Sequence, residues 1–146
     1  MVGLQGAGKT TWVAQELAAT HEVVSEDHWP RARHREARQR RFVAELLAQG
    51  RSVVVDDTNP SAAERAPLVV AAQTAGVPVR AVWVDTPPEV CLARNAHRPE
   101  GRQVPLVGVH AAVARPEPPT TAEGFTQVDV VRSPPGPLHA PPDAVL

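Results

Sequence analysis

Lysine is almost missing from this chain of 146 residues: of its fifteen basic residues, one, Lys9, is lysine and the other fourteen are arginine. Arginine replaces lysine freely on a solvated surface, so the one retained lysine marks a place where a compact ammonium is needed and a planar guanidinium is not equivalent. Cysteine is as scarce. Cys91 stands alone, which excludes an internal disulfide. The six histidines lack partners at metal-ligand spacing, so no structural metal is assigned. No run of about 18 apolar residues and no signal-peptide layout occurs, and the expectation is a cytoplasmic protein without membrane contact. The net charge of -1 gives no overall pull toward polyanions, so any nucleic-acid binding must come from a local patch. Length and apolar content fit one soluble domain with a real core.

What is present reads as alternating helices and strands. Lys9–Ala19 has apolar residues at helical spacing, and Glu22–Ser25 reads as a short strand. Arg31–Gln49 is rich in helix formers and is stopped by Gly50. Val53, Val54 and Val55 form an apolar run typical of a strand buried on both faces. A helix follows, capped by Ser61 with Glu64 at the capping-box position, ended by Gly76, and carrying Pro67 as a kink or a late start. Then come a strand in "VPVRAVWVD", a helix opened by prolines in "PPEVCLARNAHR", and a strand in "GFTQVDVV". This alternation predicts an α/β domain with a parallel sheet flanked by helices. Gly101–Thr121 has little periodicity, and residues 133–146 are proline-rich, which predicts a disordered tail.

The opening stretch "GLQGAGKTT" carries the first chemistry. Gly3, Gly8, Lys9 and Thr10 satisfy G-x-x-x-x-G-K-[ST], the phosphate-binding loop. Glycines let the backbone wrap a phosphate with its N–H groups inward, the lysine reaches the β- and γ-phosphates, and the threonine hydroxyl ligates Mg²⁺. Gly3, Gly6, Ala7, Gly8, Lys9, Thr10 and Thr11 are therefore the candidate contacts for ATP and Mg²⁺. Such a loop normally hangs from a buried strand, yet only Met1 and Val2 precede Gly3. The first strand of this phosphate-loop NTPase fold is thus expected to be largely missing, either through a misplaced start, which we favour, or through a sheet with an open middle.

Several segments then converge. "VVVDDTNPSAAERAPLVVAAQTAGVPVRAVWV", "ARNAHR" followed by "VPLVGV", and "PTTAEGF" together resemble the 5′-kinase domain of polynucleotide kinases, in particular the kinase half of polynucleotide kinase/phosphatase enzymes. The resemblance covers most of Gly3–Val131 and implies a kinase domain over residues 1–132 with a lid at about 94–121. It implies Asp27 as the general base, with helix capping as the alternative reading and Glu26 as the nearest competitor. It implies Asp57, Thr58 and Asn59 as acceptor contacts, where a plain helix-entry turn is the alternative, and Asp56 as a Mg²⁺ holder through water. Arg98 matches the lid arginine that approaches the transferred group, and Arg94 lies beside it toward the nucleotide. Phage-type members carry an arginine three residues after the base; this chain has Pro30, so Arg31 or Arg33 would have to replace that contact.

Arg31, Arg35 and Arg38 share a helical face that could guide a phosphate backbone, or simply be solvated, and Trp29 is the one aromatic near enough to stack a base. The expected activity is ATP- and Mg²⁺-dependent transfer to a hydroxyl, foremost the 5′-OH of a nucleic-acid end. A small-metabolite or nucleotide-sugar kinase and an ATP-binding protein without turnover remain as rivals.

Overall fold

The protein is described by a computed structural model over residues 1–100, 103 and 117–132. Among the described residues the α-helices are α1 (Lys9–Glu16), α2 (Arg35–Ala48), α3 (Ala62–Thr74) and α4 (Pro88–Ala96). The strands among them are β1 (Glu22–Val24), β2 (Val53–Val55), β3 (Arg80–Val84) and β4 (Gln127–Val131). β1 pairs with β2 in parallel, Glu22 against Val53, and β3 pairs with β4 in parallel, Arg80 against Gln127. This is the expected α/β fold with a parallel sheet.

Between the two ladders stand Met1–Gly3. The N–H of Val2 donates to the Val82 carbonyl at 2.8 Å and the N–H of Val84 donates to the Val2 carbonyl at 2.9 Å. On the other side the Met1 ammonium donates to the Val55 carbonyl at 2.7 Å. One bridging residue, Val2 beside Trp83, thus occupies the middle of the sheet, in keeping with the expectation that the first strand is largely missing. Next to it, between β2 and β3, lies a cavity of about 430 Å³ lined by Val53, Val54, Ala81, Val82 and Phe125 among others. The apolar core is correspondingly divided. Ala7, Val84 and Cys91 form one cluster, Val24, Val43 and Leu46 a second, and Val69, Ala81 and Phe125 a third.

Element ends depart from the sequence reading for local reasons. α1 stops at Glu16 instead of Ala19, because the N–H groups of Leu17 and Ala18 both turn onto the Val13 carbonyl and the chain must start β1 at Glu22. α2 starts at Arg35 instead of Arg31. His34 before it has φ +55°, and residues Glu26–His28 form a separate 3-10 turn capped by Ser25. Pro67 sits inside α3, which begins at Ala62 on the predicted Ser61 cap with both capping-box hydrogen bonds made. Most of Gly101–Thr121, including "VPLVGV", and the whole of residues 133–146 fall outside the described residues. Among the described residues no helix is long and apolar enough to cross a membrane.

Candidate active site

The glycine loop leaves the sheet at Gly3 and enters α1 at Lys9. Two of its glycines are required by close approach. A Cβ on Gly3 would lie 2.8 Å from the Val84 carbonyl oxygen, and one on Gly6, at φ +84°, would lie 2.7 Å from that of Cys91. Both are closer than carbon approaches oxygen, so a side chain would push the loop off β3 and α4. The loop carbonyls are held from behind. Thr86 donates its hydroxyl to the Ala7 carbonyl at 2.8 Å, and Arg94 reaches those of Gly6 and Ala7 at 3.4 and 3.3 Å. Lys9 donates its ammonium to Gly3 and Leu4 carbonyls at 3.0 and 2.9 Å. With carbonyls engaged on that side, the first N–H groups of α1 at Lys9, Thr10 and Thr11 open onto a cleft, where the helix dipole also favours an anion.

That cleft measures about 880 Å³. Gly6, Gly8, Lys9, Thr10 and Thr11 line it, as do Glu26, Asp27, Asp57, Thr58, Asn59, Arg94 and Arg98. Gly3 and Ala7 do not line it. Ala7 is 1% exposed and packs behind the loop on Val84 and Cys91.

The chemistry expected of a magnesium holder is visible in two groups. Thr10 donates its hydroxyl to Asp56 Oδ2 at 2.6 Å, and Asp56 Oδ1 is buried with no hydrogen-bond partner. An unpartnered buried carboxylate oxygen beside a hydroxyl is costly unless a cation or its water completes it, so Thr10 and Asp56 fit a hard divalent ion. Burial pulls the Lys9 pKa below the ordinary lysine range, and the Asp56 carboxylate partly opposes this.

Neither Asp27 nor the Asp57–Asn59 turn caps the long helix that follows it. Asp27 lies in the middle of the 3-10 turn and does not cap α2, whose N-cap is His34; Ser25 caps the turn, accepting from the Asp27 N–H at 3.3 Å. Asp57, Thr58 and Asn59 do not cap α3, because Ser61 does. Burial raises the pKa of Glu26, with the Asp57 charge adding to the rise. Arg31 and Arg33 do not line the cleft. Arg35 and Arg40 of α2 do, and Arg35 faces Glu26 at 4.0 Å.

Two contributors were given no role by the sequence reading. Gln39 is 5% exposed on α2 and donates its amide to Asp57 Oδ2. Its only signal was a polar residue inside a helical apolar register. Arg65 is 2% exposed and makes a two-pronged pair with Glu123, at 2.7 and 2.8 Å, while also donating to the Asn59 and Glu117 carbonyls at 3.0 Å each. It ties the acceptor turn to the segment that returns before β4.

A family model described as an AAA domain matches residues 1–119. The chain belongs to this AAA domain family of phosphate-loop kinases. It is 27% identical over 135 residues, 90% of its length, to a bifunctional polynucleotide phosphatase/kinase of Schizosaccharomyces pombe. The chain spans about a third of that relative, 32%. Among solved structures, an unliganded sugar kinase from Janibacter sp. HTCC2649 matches with a TM-score of 0.63 at 20% identity, over 90% of this chain and 82% of the other. The latter likeness is one of fold. Family membership implies ATP binding, and the Thr10–Asp56 pair is where Mg²⁺ would sit with it.

Proposed function

We propose that the protein transfers the γ-phosphoryl group of ATP to the 5′-hydroxyl of a polynucleotide. The carrying observation is that Lys9–Thr11 and Asp27 line one cleft, which gives a nucleotide and a hydroxyl acceptor a shared site. The α1 N–H groups and Lys9 hold the phosphates, and Asp27 accepts the proton of the attacking hydroxyl. The hydroxyl oxygen forms its bond to the γ-phosphorus as the bond to the ADP oxygen breaks. Arg98 adds positive charge beside the transferred group, and Arg94 buttresses the loop. A magnesium ion, when bound, offsets phosphate charge. Asp57, Thr58 and Asn59 form the turn that frames the acceptor. The identity to the fission-yeast phosphatase/kinase supports the polynucleotide acceptor.

A second reading has its own support. The cleft is lined by Glu26, Glu36 and Glu64 together with Arg35 and Arg40, a mixed lining that suits a neutral polyhydroxyl acceptor such as a sugar, and the Janibacter neighbour is a sugar kinase. Label transfer from [γ-³²P]ATP, with a 5′-OH oligonucleotide offered beside a panel of sugars, separates the two. A labelled oligonucleotide, with kcat/KM falling as salt rises, supports the first reading. Labelled sugar alone, with no salt response, replaces it with the second.

A further inference from the structure

The Asp57 carboxylate is already occupied by the protein. Oδ1 accepts from the Ser25 hydroxyl at 3.1 Å and from the Glu26 N–H at 3.2 Å, and Oδ2 accepts from the Gln39 amide. Three donors on one carboxylate, from the turn and from α2, fix its orientation without any contribution from a substrate. The donors are also informative in their places. Ser25 and Glu26 open the 3-10 turn whose middle residue is Asp27, and the Ser25 hydroxyl in turn accepts from the Asp27 N–H. Gln39 projects from the buried side of α2, which otherwise presents Val43 and Leu46 to the core. β2, α2 and the turn therefore meet at one carboxylate.

We propose that Gln39 and Asp57 are positioning residues that hold the Asp27 turn in place in the cleft, and that Asp57 acts on the acceptor only through that turn. The inference rests on the reading of Asp27 as the base. A buried glutamine is an expensive way to fill space, since its amide must find partners; here it restrains a carboxylate that in turn restrains a surface turn three residues long. The turn itself has little packing of its own: Asp27 and His28 are exposed, and Trp29 after it leans on Phe42 at a ring distance of 5.8 Å. The carboxylate adds to the Ser25 cap, the Arg35–Glu26 pair at 4.0 Å and the packing of Trp29 on Val24, Val43 and Leu46, and it is the one restraint that ties the start of the turn to β2. A displacement of about 1 Å at a reacting group costs on the order of a hundredfold in rate.

The test uses two readouts. In protein carrying Trp12→Phe and Trp83→Phe, Trp29 is the single fluorophore and reports the turn whether or not an acceptor is known. Gln39→Leu, from the helix side, and Asp57→Ala, from the strand side, should each raise acrylamide quenching of Trp29 while the circular dichroism spectrum is kept. Gln39→Glu should do the same by setting two carboxylates face to face, and adding Asp57→Asn to it should restore the wild-type quenching, because the amide and the carboxylate have then exchanged places. In label transfer, Gln39→Leu should lower kcat roughly 10- to 100-fold with ATP affinity and acceptor KM unchanged. In an Asp27→Asn background the same change should cost almost nothing further.

Unchanged Trp29 quenching in the folded variants, no rescue by the exchanged pair, or an equal loss with and without Asp27 would each overturn the positioning role. A raised acceptor KM with unchanged kcat for Asp57→Ala would overturn it in favour of direct acceptor contact. Full transfer by Asp27→Asn would instead overturn the base reading beneath it, an outcome that Trp29 quenching does not share.

Discussion

Lys9, the one lysine of the chain, donates to the Gly3 and Leu4 carbonyls of its own loop. Those carbonyls stand in for the phosphate oxygens that the ammonium would grip, so binding of a nucleotide exchanges two neutral acceptors for charged ones. Lys9→Met should therefore lower kcat about 100- to 1,000-fold in label transfer while the protein still folds. Its depressed pKa has a consequence with a definite sign. Burial favours the neutral amine, so the charged form is lost at lower pH than for an ordinary lysine, and the alkaline limb of kcat/KM should begin below the usual lysine range. Gly6→Ala tests the close approach to Cys91. A methyl 2.7 Å from a carbonyl oxygen at φ +84° should abolish ATP binding by calorimetry, with the far-ultraviolet spectrum kept. At this scale the sequence was informative where a motif dictates residue types: Gly6, Gly8, Lys9, Thr10 and Asp56 stand at the cleft together. Gln39 and Arg65 were not legible, because a buried polar residue within an amphipathic helix has the same spacing as a solvated one. Only the tertiary partner, Asp57 or Glu123, distinguishes the two.

α3 lines the cleft with Ala63, Glu64, Pro67 and Leu68, and its cap and its buried arginine are separable controls. Ser61 and Glu64 satisfy two orphan N–H groups in a complete capping box, so Ser61→Ala should cost about 1 kcal/mol in urea unfolding. Arg65→Leu leaves Glu123 without its partner and frees the Asn59 and Glu117 carbonyls, and should cost about 3 kcal/mol or more. The same pair gives a pH dependence. Hydrogen bonds from Arg65 hold the Glu123 pKa below the ordinary glutamate range, so the stabilisation is fully present above that range and is lost as pH falls through the depressed native value. The acid side of the stability curve should flatten in Glu123→Gln. Helix interiors and strand centres were legible from period and propensity, and the α3 cap from its Ser-x-x-Glu. The stop of α1 and the start of α2 were not. They depend on where β1 must begin to meet Val53 and on the positive φ of His34, neither of which is a property of local sequence.

For the molecule as a whole, two parallel ladders joined by Met1–Gly3 place the loop at the sheet's middle and both acidic turns, Glu26–Asp27 and Asp56–Asp57, on the same side of it. Ligands in such sheets bind outside the carboxyl ends of the strands, and the cleft of about 880 Å³ lies there. The alternation of elements made this layout readable in advance. The division of the core into three clusters was not, because it follows from a middle position filled by a single bridging residue. The central claim is that this layout performs phosphoryl transfer with Asp27 as the base. The most direct test is transfer of γ-label from ATP with Mg²⁺ to a 5′-OH oligonucleotide, by the wild-type protein and by Asp27→Asn, each first shown by calorimetry to bind ATP. The account predicts transfer by the wild type and a loss of at least about a hundredfold in Asp27→Asn at unchanged ATP affinity. Equal transfer by the two proteins would contradict it.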